Sequence, residues 1–68
     1  MTDAETLRAA ALDLEDRGEN VISAALRKHA DLADSNPTDV KVRINIRSAV
    51  SIARGVLRHA EKRAADRG

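Results

Sequence analysis

Two histidines, eleven carboxylates and no cysteine are the raw material for chemistry in this chain. Placed on the helices argued below, His29 and His59 come out on the order of 24 Å apart at 1.5 Å per residue. One chain cannot bring them to a common metal ion. His29 falls within an apolar stretch and reads as a packed core or interface residue, with an imidazole that titrates near neutrality as the one group suited to a pH response. Glu15 and Asp16 are adjacent, so on a helix they point to different faces and form solvated acidic surface rather than an acid/base pair. No glycine-rich phosphate loop, G-x-S-x-G or H-E-x-x-H pattern occurs. The sequence therefore predicts no catalytic residue, no metal, no cofactor and no enzymatic activity.

Arginine is the more informative residue. Arg43, Arg47, Arg54 and Arg58 are spaced 4, 7 and 4 apart, which on a helix makes a basic ridge, and Lys41 lies near its start. Such a row suits the successive phosphates of a nucleic acid or an acidic protein partner. Glu61 falls on the same side, the net charge is only +1 and there is no aromatic residue to stack on a base. The competing reading is a solvated face that answers the acidic first half of the chain. Residues 1–36 hold eight Asp and Glu against four Lys and Arg, whereas residues 37–68 hold three against eight. The near-neutral total thus hides a strong asymmetry, the pattern of halves that face each other or of a basic half that meets an anionic partner.

The elements that must carry these residues are delimited by strong punctuation. Thr2 and Glu5 are spaced as a capping box and open a first helix over about 3–17, in which Ala4, Leu7, Ala11 and Leu14 make one stripe and Leu12 lies off it. Gly18 suits the left-handed residue that ends a helix. Asn20 reads as the cap of a second helix over about 21–34, with Val21, Ile22, Ala25, Leu26, His29, Leu32 and Ala33 in one apolar sector. The short connection makes these two helices antiparallel neighbours. Asn36 and Pro37 then read as the cap and first residue of a third helix, about 37–65. In it Val42, Ile46, Ala49, Val50, Ala53, Val56, Leu57, Ala60 and Ala64 share about 120° of arc at 100° per residue.

One stretch carries a second signal. Val40-Lys41-Val42-Arg43-Ile44-Asn45-Ile46 alternates with a β-branched residue at every apolar place, as a half-buried strand does. Val40 to Arg47 resembles the strand of ribbon-helix-helix repressors, and that resemblance implies a two-stranded intermolecular ribbon placing Lys41, Arg43, Asn45 and Arg47 in the major groove. Those repressors follow the strand with two helices, whereas here two helices precede it and one continuous helical pattern follows. A helix-turn-helix centred on Gly18 fits poorly, because Glu19 and Arg27 stand where apolar residues belong. The expected fold is all-α: a short antiparallel hairpin packed on a long amphipathic third helix, a three-helix bundle forming one domain over 1–68. The alternative is α-α-β-α with the intermolecular ribbon.

Composition then points to self-association. Of the apolar residues, 43% of the chain, 13 are Ala, and only 15 Leu, Ile and Val plus Met1 remain to build a core. Chains of this size bury only about 60% of their surface and lean on disulfides, metals or partners. The first two helices are each about 21–23 Å long and the third about 43 Å, so the hairpin covers half of it. A homodimer through Val50, Ala53, Val56, Leu57, Ala60 and Ala64 is the expected solution. No 18-residue apolar run and no leader pattern is present, which implies a cytoplasmic protein without a membrane span. The excess of Arg and Ala fits a GC-rich genome, such as an actinobacterium or one of its phages. The expected function is binding to another protein, as an adaptor, inhibitor or regulator, plausibly encoded by a phage or mobile element. The alternatives are a DNA-binding transcriptional regulator and a structural or assembly component.

Overall fold

The computed structural model describes residues 1–67, and within them the chain is three helices with no strand: α1 (Asp3–Asp16), α2 (Asn20–Asp34) and α3 (Val40–Arg67). The capping box is formed. The Thr2 hydroxyl accepts from the Glu5 N–H, and the Glu5 carboxylate accepts from the Thr2 N–H, both at 3.2 Å. Those backbone and hydroxyl hydrogen bonds to Thr2 hold the Glu5 carboxyl below its ordinary value. At the other end Glu19 N–H donates to the Leu14 carbonyl and Gly18 N–H to that of Glu15, the pair of bonds that closes a helix around a left-handed residue. Gly18 supplies that residue at φ +79°.

Two starts differ from the sequence reading. Asn20 is not a cap but the first residue of α2; Glu19 occupies the cap position and makes no side-chain cap bond. The third helix begins at Val40 instead of Pro37. Asn36 takes φ +51° and ends α2 with its N–H on the Ala33 carbonyl, a conformation Asn tolerates better than most residues. Asp39 then caps α3, its Oδ1 accepting from the Lys41 N–H at 2.8 Å and the Val42 N–H at 3.4 Å. A carboxylate there also answers the positive end of the helix.

The strand and the intermolecular ribbon are overturned, because Val40–Ile46 is helical. The alternation arises from two i,i+4 pairs on nearly opposite sides of one helix: Val42 and Ile46 turn inward, Val40 and Ile44 outward. A helix satisfies its backbone internally, whereas a strand here has no partner.

Contacts along the helices give their directions. Asp3 shares a hollow with Arg43 and Arg47, and Asp13 meets Arg63, so α1 runs parallel to α3. Arg8 meets Asp31 and Asp34 while Arg27 meets Glu15, so α2 runs the other way. The core is built from Leu7, Leu14, Leu26, Ile46 and Val50 with six alanines, and Val56 and Leu57 pack against it. The third helix of 28 residues is about 42 Å long at 1.5 Å per residue, matching the longest dimension of the molecule, 43 Å.

Candidate interaction surfaces

Burial on α2 follows its apolar sector only in part, with Leu26 buried and Leu32 and Ala33 packed against the core. The residues turned to the core are Ser23, Leu26 and Ala30, spaced 3 and 4, while Val21 and Ile22 face water. Small side chains at Ser23 and Ala30 let α1 and α2 approach closely, and charged groups flank that contact. Ser23 Oγ donates to Glu15 Oε1 at 3.0 Å, and Arg27 grips the same carboxylate with two bonds of 2.8 Å. These bonds, Arg27 first and Ser23 second, lower the Glu15 pKa. Arg8 reaches both Asp34 at 2.6 Å and Asp31 at 3.0 Å, and this pairing raises the pKa of the guanidinium, Asp34 contributing most. Asp13 lies against Arg17 at 2.9 Å and Arg63 at 3.5 Å. Its Oδ2 is buried without a hydrogen bond, held by charge alone.

The opposite side of α2 is different. Val21, Ile22, Ala25 and His29 face Asn45, Ser48 and Ile52 of α3 across a groove of about 390 Å³. Val21 is 85% exposed, Ile22 46% and Ile52 58%, and Ile44, two turns before Ile52 on α3, is 56% exposed. No acidic side chain lines this groove. Lys28 follows Ala25 by three residues and Lys41 precedes Asn45 by four, so cations stand at its rim. His29 is half-buried, and its Nδ1 lies 2.8 Å from the Ala25 carbonyl. A carbonyl only accepts, so Nδ1 is the donor in this contact.

The residues expected to form a dimer are distributed otherwise. Val50 and Ala53 lie inside the chain's own core, and Val56, Leu57 and Ala60 are half-buried beside α1. Ala64 alone of the six is exposed. The parallel α1 reaches Arg63 and so accompanies the second half of α3, which the length comparison had left uncovered. The open apolar surface is instead the Val21–Ile52 groove with Ile44. Periodicity does not reveal it, because Val21 and Ile22 share one apolar sector of α2 with the buried Leu26.

Arg43, Arg47, Arg54 and Arg58 are all exposed on one side of α3. Arg43 and Arg47 border a hollow with Asp3, and Arg54 and Arg58 border another with Met1, Thr6 and Glu61. Among the described residues none of the four is in an ion pair, unlike Arg8, Arg17, Arg27 and Arg63. Lys41 is also exposed but lies on the groove side, away from this ridge. The described residues contain no cluster of three metal-ligating side chains and no helix long and apolar enough to cross a membrane. The chain matches no protein-family model, no curated protein and no solved structure.

Proposed function

We propose that this protein acts without catalysis, by binding another protein as an adaptor, inhibitor or regulator, through the groove between α2 and α3. The observation that carries the reading is the pairing of apolar exposure with one sign of charge. β-Branched side chains lie open in a groove without a carboxylate, with Lys28 and Lys41 at the rim. Protein interfaces share this plan of a charge-poor centre and a charged edge. The occupant that fits is an amphipathic helix whose apolar stripe seats on Val21, Ile22 and Ile52 and whose flanks carry acidic residues toward the two lysines.

The test is capture from a nuclease-treated lysate of the source cells, using tagged wild type, Ile52→Asp and Leu12→Asp. Leu12 is exposed on the far side of α1 and controls for added charge. One stoichiometric protein lost with Ile52→Asp and kept with Leu12→Asp is the expected result. Retention of that protein by Ile52→Asp overturns the reading, as does recovery of material that nuclease removes entirely. Light scattering on the purified chain identifies the competing occupant, a second copy, which Ile52→Asp would return to monomer mass.

A further inference from the structure

We propose a second binding site, independent of the groove: the ridge of Arg43, Arg47, Arg54 and Arg58 tracks the phosphodiester backbone of a nucleic-acid duplex. Half of the acids of residues 1–36 are already committed to other arginines. Asp31 and Asp34 are held by Arg8, Glu15 by Arg27, and Asp13 by Arg17 and Arg63. Among the described residues Asp3, Glu5, Asp16 and Glu19 are in no ion pair, and none of the eight acids of residues 1–36 pairs with an arginine of the ridge. Four exposed guanidinium groups remain on one stripe without an ion pair among the described residues. Lys62, one turn beyond Arg58, extends the stripe. Asp3 and Glu61 stand along its α1 edge and temper the charge without pairing with it.

From Arg43 to Arg58 the helix advances about 22 Å at 1.5 Å per residue, the axial length of about six phosphates on one strand of a duplex. Guanidinium groups suit phosphate oxygens because their planar fork presents paired donors, an advantage lysine lacks. An acidic protein fits this flank less well. Tight protein contacts rest on large apolar anchors, and the accessible apolar residues beside the arginines are small or half-buried, Ala33, Pro37 and Leu57, apart from exposed Met1. Backbone tracking requires charge and register and no anchor. The chain has no aromatic residue, the usual platform for splayed bases, and contacts to phosphates carry no sequence information, so the ligand is a duplex bound without regard to sequence.

The experiment is fluorescence anisotropy of a 20-base-pair DNA duplex between 50 and 200 mM salt, with an RNA duplex of equal length as a second arm. For four phosphates neutralised, log K falls against log salt with a slope of about −3.6. Arg54→Gln is expected to reduce that slope by about 1. The fourfold Arg→Gln variant loses binding at 50 mM salt, and its helical content by circular dichroism shows that the fold is intact. If that variant unfolds, the four single Arg→Gln variants carry the test through their slopes. Ile52→Asp leaves binding unchanged, which separates this site from the groove. Equal binding of both duplexes assigns the site to phosphodiester charge, and DNA-only binding narrows it to B-form geometry. The proposal is overturned by absence of binding at 50 mM salt, by a flat salt dependence, by unchanged binding of the fourfold variant, or by equal displacement with polyglutamate of matched charge.

Discussion

Helix α2 meets its two neighbours in opposite ways. Toward α1 it presents Ser23 and Ala30, both buried, and ties the edges with Arg27–Glu15 and Arg8–Asp31/Asp34. Toward α3 it presents Val21, Ile22 and His29, leaves a groove and has no ion pair across it among the described residues. The larger apolar side chains are thus at the looser contact. Hydrophobic mass alone did not orient this helix. Small residues that allow close approach, flanked by charges in register, overrode an apolar sector that would have turned Val21 and Ile22 inward.

The sharpest way to break this contrast is the same substitution on both sides. Ser23→Leu places a large side chain in the closed contact and removes a donor from Glu15, and it should cost about 1–3 kcal/mol. In a domain of this size each kcal/mol corresponds to about 4–8 °C in Tm, measurable by thermal circular dichroism. Ser48→Leu, in the open groove, should stay within about 0.5 kcal/mol. Equal losses would show the two contacts to be equally close and the contrast illusory.

Gly18 and Gly55 give a second, smaller comparison. Neither has an atom within 4 Å of where a Cβ would stand, but Gly18 has φ +79° and Gly55 is helical. Gly18→Ala should destabilise by about 1–2 kcal/mol, the cost of a left-handed L-residue, and denaturant midpoints would read the loss. Gly55→Ala should stabilise by up to about 1 kcal/mol, since it removes only helix-interior glycine entropy. A loss at Gly55 would mean that this side of α3 is covered by a partner in solution.

The smallest effect tests the charged edge of the closed contact. Glu5 and Glu15 both have lowered pKa values in the fold, so their contribution is fully present above about pH 4.5, the ordinary value, and is lost as pH falls through the lower folded value. Stability should be flat from neutral pH down to that point and decline below it. Glu15→Gln should flatten the acid limb in urea titrations at pH 3–4 while leaving the limb set by Glu5. An unchanged acid limb would remove Glu15 from the closed contact's edge.

Much of the fold was legible because its signals are local or periodic. The Thr2–Glu5 box and Gly18 are readable from adjacent residues, and the inward face of α3 from Val42 to Ala60 follows from periodicity alone. The basic ridge was legible for the same reason, its four positions fixed by helical spacing. Three features were not. Asn36-Pro37 has the composition of a helix start, yet Asp39 does the capping, because the left-handed turn at Asn36 delays the helix by three residues. Ser23 counts as polar in any pattern, and its place in the core depends on a carboxylate supplied by another helix. Whether arginines are paired depends on tertiary distances, so the split between the Arg8–Arg27 group and the Arg43–Arg58 group cannot be read from spacing.

The proportions of the molecule, 43 × 20 × 15 Å, govern how it moves in solution. A rod that is more than twice as long as it is wide diffuses more slowly than a sphere of its mass and tumbles faster about its long axis than end over end. A gel-filtration column will therefore overstate its mass, and a monomer will elute toward the position of a dimer. Amide relaxation carries the same signature: N–H vectors in the helices lie near the long axis and will report the slow end-over-end tumbling, while those in the 17–19 and 35–39 turns will report a spread.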